Sequence, residues 1–342
     1  MIKASVIVIT YNGRHHLDAC FSSLEQQTVE AYETILIDNG SQDDSADFVR
    51  RKFPRVTVIQ SETNLGFAGG NNLAAKEATG DVLVFLNDDT EVDPHWLGRL
   101  LTPFDSNPRV AIAGCKMIDF FNRDVEIRVL CDLFGSAINH GVPRTPNSDG
   151  YEDVFYVPGF ALAIRRPVFR EVGGFDDSYF MFAEDVDLDW RVLLAGYRMV
   201  AVRNSVVYHK FGGSVPGAQI VVAEARPFRT ALWKRELGEK NLITTLLKNY
   251  SSWNLAWVIP GYLSIYLLEL LFFAAKRRPD VVRAYGRALV SNLRALRRTL
   301  SVRQRIQATR KVPDRVIIRQ TRLGSVKVLQ ARKTGFQIEI SS

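Results

Sequence analysis

The sequence predicts an α/β protein built on a doubly wound, mostly parallel β-sheet. Short apolar runs alternate with stretches of helical periodicity over the first 115 residues, which is the pattern of a parallel sheet with crossover helices. The chain has 342 residues, of which 46% are hydrophobic and 24% charged. This is an ordinary globular balance, with enough chain for one large domain or two average ones. Disordered, collagen-like and disulfide-scaffold classes are therefore excluded.

Five short apolar runs in the N-terminal half are predicted to be strands buried on both faces. They lie at residues 5–9, 34–37, 56–59, 82–86 and 110–113. Between them, helices are predicted at residues 17–24, 44–52 and 73–78, and a further helix that opens at Pro94. A glycine-rich loop is predicted to precede the third helix.

The second half of the chain is less regular. Residues 154–164 are predicted to form a strand interrupted by Pro158-Gly159, and residues 184–194 a helix. Two further strands are expected at 199–202 and 206–208. Alternating apolar positions over residues 312–342 predict a small terminal β unit.

The cysteines and the N-terminal residues indicate in which cellular compartment the protein works. The three cysteines are odd in number and show no CxxC spacing, which disfavours a disulfide framework and favours a reducing compartment. The apolar run at residues 4–9 is too short for the core of a signal peptide. We therefore expect the protein to work in a reducing compartment.

Charge is distributed very unevenly along the chain. Residues 1–275 contain 26 Lys/Arg and 34 Asp/Glu, whereas residues 276–335 contain 18 Lys/Arg and only two acidic residues. An acidic body with a basic tail predicts attachment to an anionic partner through the tail. A membrane surface is favoured over nucleic acid, because the tail lacks interleaved aromatic residues. A merely solvated helix face is the alternative.

A 21-residue apolar segment, residues 255–275, precedes the basic tail and contains one charge, Glu269. Its length matches a bilayer span, but Pro260, Gly261 and Glu269 disfavour one. Nearby Trp and Tyr residues and the following Lys276-Arg277-Arg278 suit a segment held at the cytoplasmic face. We expect an in-plane or re-entrant helix. A buried core or oligomer helix and a true span stay open.

Polar clusters follow three of the predicted strands. In parallel sheets, ligands bind beyond the carboxyl ends of the strands, so these clusters are expected to meet in one cleft. They are Thr10-Tyr11-Asn12, Asp38-Asn39 and Asn87-Asp88-Asp89.

Adjacent carboxylates at Asp88 and Asp89 repel each other, and a cation would relieve that repulsion. Oxygen ligands suit Mg²⁺ or Mn²⁺ completed by substrate phosphates. Asp38 can accept hydrogen bonds from a base or a ribose, as acidic residues do in dinucleotide sites. A simple turn-forming role is the alternative for each cluster.

The glycine-rich segment at 64–72 matches neither GxGxxG nor GxxxxGK[ST], so dehydrogenase and P-loop functions lose their main support. Asn64, Gly66 and Asn71 in this segment are candidates for close backbone approach to a ligand, with a helix-entry turn as the alternative.

Three carboxylates lie within four positions at the start of a predicted helix, at Glu184, Asp185 and Asp187. Favourable charge at the helix N-terminus explains one or two of them. A general base explains why one should point into a cleft. His209 follows a strand, and it is either a metal ligand or a structural histidine.

The order of these motifs closely resembles family 2 glycosyltransferases, most strongly the single-addition, rhamnosyltransferase-like branch. The resemblance covers residues 3 to about 215. It rests on the clusters above together with Pro-Gly-Phe-Ala-Leu-Ala-Ile-Arg-Arg at 158–166, Gly-Gly-Phe-Asp at 173–176, Glu-Asp-Val-Asp-Leu at 184–188 and His209. It implies a GT-A fold, a nucleotide-sugar donor, a divalent metal and inversion at the anomeric carbon.

The resemblance also implies residue roles. Asp89, the last residue of the DxD-like motif, would hold Mg²⁺ or Mn²⁺, and His209 would be the second metal ligand. Asp185 would be the catalytic base. Asn87 replaces the first Asp of the motif, which leaves open whether Asp88 binds metal or ribose.

Thr10, Tyr11 and Asp38 would cradle the base of a UDP- or dTDP-sugar, with Asn12 and Asn39 beside them. No Arg-Trp pair occurs, so the QxxRW motif of processive synthases is absent.

These observations predict three regions. Residues 1–225 form a catalytic domain, with a nucleotide-binding half at 1–115 and an acceptor half at 116–225. Residues 226–311 form a helical, basic, membrane-associating region, and residues 312–342 a small β tail.

The expected function is transfer of a sugar, with rhamnose one candidate, to a lipid-linked glycan in cell-surface polysaccharide synthesis. A sugar nucleotidyltransferase and a non-catalytic membrane scaffold are the alternatives, and a homo-oligomer is left open.

Overall fold

A twisted sheet of eleven strands forms the centre of the part of the chain described by the computed structural model, residues 2–210, 228–333 and 338–341. Its main path runs in the order β3-β2-β1-β4-β10-β6-β11-β5. The predicted doubly wound α/β class is confirmed. The strands and helices are numbered below as they occur along the chain.

Four parallel strands and three helices make up the first third of the chain. They are β1 (Ala4–Thr10), α1 (Arg14–Glu25), β2 (Glu33–Asp38), α2 (Ser45–Lys52), β3 (Thr57–Gln60), α3 (Gly66–Glu77) and β4 (Val82–Asn87). All three neighbouring pairs are parallel. The carboxyl ends of β1, β2 and β4 therefore lie at one edge of the sheet.

Helix α3 begins at Gly66, so the prediction of a glycine-rich loop up to residue 72 was wrong. The glycines allow the helix to pack closely on the sheet. A β-carbon on Gly70 would lie 2.8 Å from Ile9 Cδ1, which is shorter than any normal contact. The composition that indicated a loop thus serves close helix–strand packing instead.

The next segment completes the sheet. Its elements are β5 (Thr90–Val92), α4 (Trp96–Ser106), β6 (Val110–Asp119), β7 (Val125–Cys131), β8 (Ala137–Pro143), β9 (Tyr151–Asp153), β10 (Ala161–Arg165), α5 (Arg166–Glu171), α6 (Glu184–Leu194) and β11 (Arg198–His209). Strand β10 runs antiparallel between β4 and β6, and β11 is parallel to β6.

Two strand predictions in this segment need correction. The strand expected over residues 154–164 is restricted to β10, because the chain around Pro158-Gly159 leaves the sheet to reach α6. The two strands expected at 199–202 and 206–208 are one strand, β11, whose register shifts between Val202 and Val206.

The C-terminal part is mainly helical. It contains β12 (Phe228–Ala231), α7 (Leu232–Asn249), α8 (Ser252–Ala275), α9 (Pro279–Thr309), α10 (Asp314–Ile318), α11 (Val326–Lys333) and β13 (Ile338–Ser341). Strands β12 and β13 pair in parallel.

The prediction of a small β tail over residues 312–342 was wrong for most of its length. Among the described residues of this stretch, β13 is a strand, while α10 and α11 are short helices. Ile317 in α10 and Val326 in α11 are fully buried. Apolar alternation over such short stretches does not distinguish a strand from a single turn of helix that buries one side chain.

The sheet is covered on both faces, as the continuous apolar strands require. On one face, Leu17, Phe21 and Trp96 pack against side chains such as Val8. On the other face, Ile7 belongs to a larger cluster that also contains residues from α6 and α7–α9. The ring centroids of Trp190 in α6 and Tyr250 after α7 are 4.8 Å apart. The C-terminal helices therefore share the core of the sheet.

Candidate active site

The first contact of the site joins Thr10 and Asp88, at the point where β1 and β4 end. Thr10 Oγ1 donates a buried hydrogen bond of 2.5 Å to Asp88 Oδ2. Gly13, at the start of α1, leaves the room for this carboxylate, because a β-carbon there would lie 1.9 Å from Asp88 Oδ2. Asp88 is thus fixed against the first strand.

The second pair joins Asp89 to His209. His209 ends β11 and pairs with Thr90 of β5, which brings its ring beside the preceding Asp89. His209 Nε2 lies 3.0 Å from Asp89 Oδ1, and the imidazole stacks on Phe160 with the ring centroids 4.5 Å apart. Both residues are more than nine-tenths buried. Residues 120 positions apart in sequence are therefore placed in contact, as the metal prediction requires.

The carboxylate oxygen of Asp89 and the imidazole nitrogen of His209 are ligands that suit a hard or borderline divalent cation. One carboxylate oxygen and one imidazole nitrogen converge at the pair, with the Asp88 carboxylate adjacent in sequence. Among the residues described, no group of three or more His, Cys, Asp or Glu is arranged to hold a metal ion. A site with only one or two carboxylates fits Mg²⁺ or Mn²⁺ that takes its remaining ligands from substrate phosphates and water.

Asp185, in the first turn of α6, is held by three donors. Its Oδ2 accepts hydrogen bonds from the Tyr156 hydroxyl at 2.7 Å and the Gly159 amide at 3.0 Å, and its Oδ1 accepts one from the Val186 amide at 2.8 Å. Burial raises the pKa of Asp185, and the hydrogen bond from Tyr156 opposes that rise. A carboxylate with a raised pKa is better suited to accept a proton.

The other carboxylates of α6 have different surroundings. Asp187 accepts hydrogen bonds from Arg191, Lys248 and Asn249, and Asp189 accepts one from the Val157 amide. Burial, together with the neighbouring Asp185, raises the pKa of Glu184 well above its usual range. Favourable charge at a helix N-terminus is therefore not the only factor that acts on this cluster.

The segment before α6 is strained. Phe180, Phe182 and Ala183 all have positive φ angles, between 61° and 72°, although none is glycine. Asn241 of α7 holds this segment, because its Nδ2 lies within 3.0 Å of the carbonyl oxygens of Tyr179, Met181 and Phe182. One buried amide thus braces the turn that presents Asp185.

A single cavity of about 610 Å³ connects these groups. Its wall includes Asp89, Asp185 and His209, so these strand-end and helix residues share one cavity. The other predicted site residues on the wall are Thr10, Tyr11, Asn39, Asn64, Asn87 and Asp88.

Four predicted donor-binding residues do not line this cavity: Asn12, Asp38, Gly66 and Asn71. Asp38 accepts hydrogen bonds from the Ser41 amide and from Gln60, which shapes the turn after β2. Asn12 has a φ of 54° and receives a hydrogen bond from the Gln42 amide.

Gly66 has a φ of 72°, and a β-carbon there would lie 2.3 Å from the carbonyl oxygen of Phe180. Asn71 is fully buried and donates to the Phe67 carbonyl. In the structure these four residues shape the loops and the helix behind the cavity.

Sequence reasoning missed one wall of the cavity completely. Lys234, Arg235, Glu239, Glu269 and Lys327, from α7, α8 and α11, also line it. The only signal in the sequence was Glu269, a single charge within an apolar segment, which indicates an internal partner for the carboxylate.

The fold and the site combine a mostly parallel sheet, a carboxylate–histidine pair at its carboxyl edge and a buried carboxylate in the same cavity. Residues 5–173 match the family described as Glycosyl transferase family 2, and this stretch of the chain belongs to that family. This match supports the predicted glycosyltransferase class.

Two curated proteins with similar sequences are a rhamnosyltransferase and an O-antigen biosynthesis protein. The chain is 28% identical over 232 residues to the N-acetylglucosaminyl-diphospho-decaprenol L-rhamnosyltransferase of Mycobacterium tuberculosis, covering 60% of this chain and 75% of the relative. It is also 28% identical over 219 residues to the O-antigen biosynthesis protein RfbC of Myxococcus xanthus, covering 60% of this chain but only 17% of that protein.

Solved structures support the fold. GalNAc-T7 with UDP, GalNAc and Mn²⁺ matches with a TM-score of 0.57 and 18% identity, covering 74% of this chain and 49% of that one. S. aureus TarS 1-349 in complex with UDP matches with a TM-score of 0.52 and 17% identity, covering 77% of this chain and 71% of that one. The predicted GT-A fold is confirmed by these likenesses.

Proposed function

We propose that the protein is an inverting, metal-dependent glycosyltransferase that moves a sugar from a UDP- or dTDP-sugar to a hydroxyl of a lipid-linked glycan. The observation that carries the proposal is the shared cavity: the Asp89–His209 pair, the Thr10–Asp88 pair and Asp185 all line it. The names of the relatives support rhamnose as the sugar and a lipid-diphosphate glycan as the acceptor.

The donor half of the site is the carboxyl edge of β1 and β4. Asp89 and His209 would hold Mg²⁺ or Mn²⁺ there, and the metal would neutralise the charge that builds on the leaving diphosphate. Asp88, fixed by Thr10, would accept hydrogen bonds from the ribose hydroxyls, and Tyr11 would contact the base.

The acceptor half contains Asp185. We propose that its carboxylate takes the proton from the acceptor hydroxyl while that oxygen bonds to the anomeric carbon and the bond to the diphosphate breaks. Attack from the face opposite the diphosphate inverts the anomeric carbon. Tyr156 and Gly159 keep the carboxylate oriented for this transfer. A positioned base contributes a factor of about 10²–10⁴ to the rate.

The experiment that tests the proposal compares Asp185→Asn with the wild type. UDP- and dTDP-sugars, dTDP-rhamnose among them, are screened with Mn²⁺ for thermal stabilisation and then for transfer to a glycan acceptor. The variant should bind donor normally and turn over about 10²–10⁴ times more slowly. Asp124→Asn, an exposed carboxylate outside the cavity, is the control. Wild-type turnover in folded Asp185→Asn protein would remove Asp185 as the base.

We further propose that the enzyme works at the cytoplasmic face of the cell membrane. By length and composition alone, α8 is the one helix in the described part of the chain that qualifies as a membrane span. Its outward side chains include Trp253, Leu268 and Leu271, which are 84%, 65% and 58% exposed. A helix with a buried face and an exposed apolar face suits in-plane attachment better than a full span.

A further inference from the structure

A second cavity, of about 170 Å³, is lined by residues of α7, of α9 and of the segment around the one-turn 3₁₀ helix Asp177–Tyr179. It shares no lining residue with the active-site cavity. It is too small for a nucleotide sugar, since cavities for ligands of that size usually exceed about 300 Å³. Among the described residues of its wall, three are cationic, Lys240, Lys248 and Arg298, and one is acidic, Asp176. An excess of one charge in a small cleft favours a small ligand of the opposite charge.

The carboxylates that contact these cations do not balance them. Asp176 lies 2.8 Å from the Lys248 ammonium and 2.9 Å from the Arg298 guanidinium, so one carboxylate serves two cations. Behind the wall, Asp187 lies 2.9 Å from both Lys248 and Arg191. Three cations therefore share two carboxylates, which leaves one positive charge in surplus. Such a charge is unfavourable away from water unless an anion binds beside it.

Lys240 adds a second positive charge to the same cavity. Its ammonium donates a hydrogen bond of 2.8 Å to the carbonyl oxygen of Ser178, a neutral acceptor, and it forms no ion pair with a carboxylate in the described part of the chain. Burial lowers the pKa of Lys240, and the charges of Asp176 and Glu236 oppose this change only in part. A bound anion would favour the charged form of this lysine.

The cations also have N–H groups to offer a ligand, because ammonium and guanidinium groups each carry several donors. Within the described residues, Lys240 donates to Ser178, and Arg298 donates to Asp176 through one of its nitrogens. The Arg298 side chain is 56% exposed, so the cavity can be reached from solvent on this side. Phosphate oxygens form strong charge-assisted hydrogen bonds with both side-chain types.

We propose that this cavity binds a phosphate group, which is held by Lys240 and Arg298 and neutralises the surplus positive charge. Free phosphate and the headgroup of an anionic phospholipid present the same chemistry to these two residues. The site is separate from the sugar-transfer cavity and does not depend on the proposed function.

The site lies beside the segment that leads to Asp185. Asp176, which contacts Arg298, also accepts hydrogen bonds from the amide and the hydroxyl of Ser178, at 3.1 Å and 2.7 Å. Ser178 belongs to the 3₁₀ helix that precedes the strained turn. A phosphate bound between Lys240 and Arg298 therefore ties α9 to this segment.

The test is calorimetric titration of the full chain with inorganic phosphate, in EDTA and at constant ionic strength. The wild type should bind. Lys240→Gln keeps a donor for the Ser178 carbonyl but loses the charge, so its affinity should fall about tenfold or more. Lys240→Arg should retain most of the affinity, and Arg298→Ala should lose as much as Lys240→Gln. Arg297→Ala, an exposed arginine of α9 outside the cavity, is the control and should bind like the wild type.

A second arm distinguishes the source of the phosphate group. It measures co-sedimentation with phosphatidylcholine vesicles, with and without phosphatidic acid. Binding of inorganic phosphate that Lys240→Gln loses assigns the site to free phosphate. Extra sedimentation on phosphatidic acid that Lys240→Gln and Arg298→Ala lose and Arg297→Ala keeps, without binding of free phosphate, assigns it to a lipid headgroup.

Two results would overturn the site: no response of the wild type to either probe, or a response that Lys240→Gln and Arg298→Ala share equally with Arg297→Ala. The melting temperature of each variant in phosphate-free buffer shows whether it is folded. If Lys240→Gln does not fold, Arg298→Ala decides by the same criterion, because its side chain is largely exposed and its loss leaves the core intact.

Discussion

The hydroxyl of Tyr156 donates a hydrogen bond of 2.7 Å to the carboxylate of Asp185. Burial raises the pKa of Asp185, and this hydrogen bond works against the rise because it stabilises the ionised form. Tyr156 thus favours the ionised form of the proposed base, which burial disfavours.

Replacing Tyr156 by Phe should therefore shift the pH dependence of turnover. A base works only when ionised, so turnover falls as the pH drops through the pKa of Asp185. Loss of the hydrogen bond raises that pKa further, and the acidic limb should move up by about 1 to 2 pH units, the equivalent of about 1.5–3 kcal/mol. The measurement is kcat from pH 5 to pH 9.

The matched control is Tyr197→Phe, since the Tyr197 hydroxyl donates to the surface residue Glu171. Its profile should equal that of the wild type. An unchanged acidic limb in Tyr156→Phe would show that another group sets the pH dependence.

Replacing Gly13 by Ala should impair donor binding. The new β-carbon would lie 1.9 Å from Asp88 Oδ2 and 2.5 Å from Thr10 Oγ1, so Asp88 has to leave its place. We expect donor affinity to fall at least tenfold and the free energy of unfolding to fall by about 1–3 kcal/mol. Isothermal titration with the donor and chemical denaturation measure the two effects.

Gly286→Ala in α9 is the control, because a β-carbon there meets nothing within 4 Å. Alanine in that helix should raise stability by about 0.5–1 kcal/mol and leave donor binding unchanged. Normal donor affinity in Gly13→Ala would mean that the position of Asp88 is unimportant for binding.

Asn241→Ala should slow turnover more than it weakens donor binding. The variant loses the hydrogen bonds to the carbonyls of Tyr179, Met181 and Phe182, and the strained turn before Asp185 is then free to relax. We expect kcat to fall at least tenfold while the KM for the donor changes less than twofold. Steady-state kinetics at several donor concentrations separate the two.

Asn292→Ala tests whether this effect is specific. Asn292 is also a buried amide, but it bonds Lys240, Ala288 and Thr244 on the helices away from Asp185. The Asn292→Ala substitution should lower the melting temperature without a specific loss of kcat. If both variants lose kcat in proportion to stability, Asn241 has no positioning role.

Removal of divalent metal should abolish both transfer and donor-induced thermal stabilisation, and added Mn²⁺ should restore them. His209→Ala removes the imidazole that lies 3.0 Å from Asp89, so it should raise the Mn²⁺ concentration for half-maximal activity at least tenfold. His95→Ala, an exposed histidine on the surface, should behave like the wild type. Full activity in EDTA would exclude the metal role given to Asp89 and His209.

Polar substitution of the exposed face of α8 should weaken membrane binding. Leu267, Leu268 and Leu271 are 54%, 65% and 58% exposed, so replacing all three by Gln removes apolar contact without opening the core. We expect at least a fivefold loss of co-sedimentation with anionic liposomes and an unchanged melting temperature. Leu323→Gln, at an exposed site outside α8, is the control. Equal sedimentation of the triple variant would mean that α8 does not contact lipid.

The sequence predicted the parts of the fold in which local pattern and tertiary role agree. Strands β1, β2 and β4 are continuous apolar runs that end in polar residues, and this pattern specifies both their burial and the position of the cleft. The contact of Asp89 with His209 depended on the family resemblance, because no local pattern relates residues 120 positions apart.

The remaining features depend on contacts that sequence patterns do not encode. Glycines at 66, 69 and 70 indicated a loop, but this stretch is helical and its Gly70 packs closely on Ile9. The cavity wall that contains Lys234 and Lys327 has no motif, since α7, α8 and α11, which form it, are separate in sequence. Asn241 was invisible for the same reason: an isolated Asn in a helix does not reveal which carbonyls it will bind.

The attachment of the end of α7 to the rest of the protein has a practical consequence for protein production. The Tyr250 hydroxyl donates to the Leu133 carbonyl, and Lys248 pairs with Asp187 of α6. A shortened form that ends near residue 245 would lose these anchors and open the interior to solvent. To obtain soluble protein, replacing the exposed apolar side chains of α8 with polar ones is therefore preferable to truncating the chain.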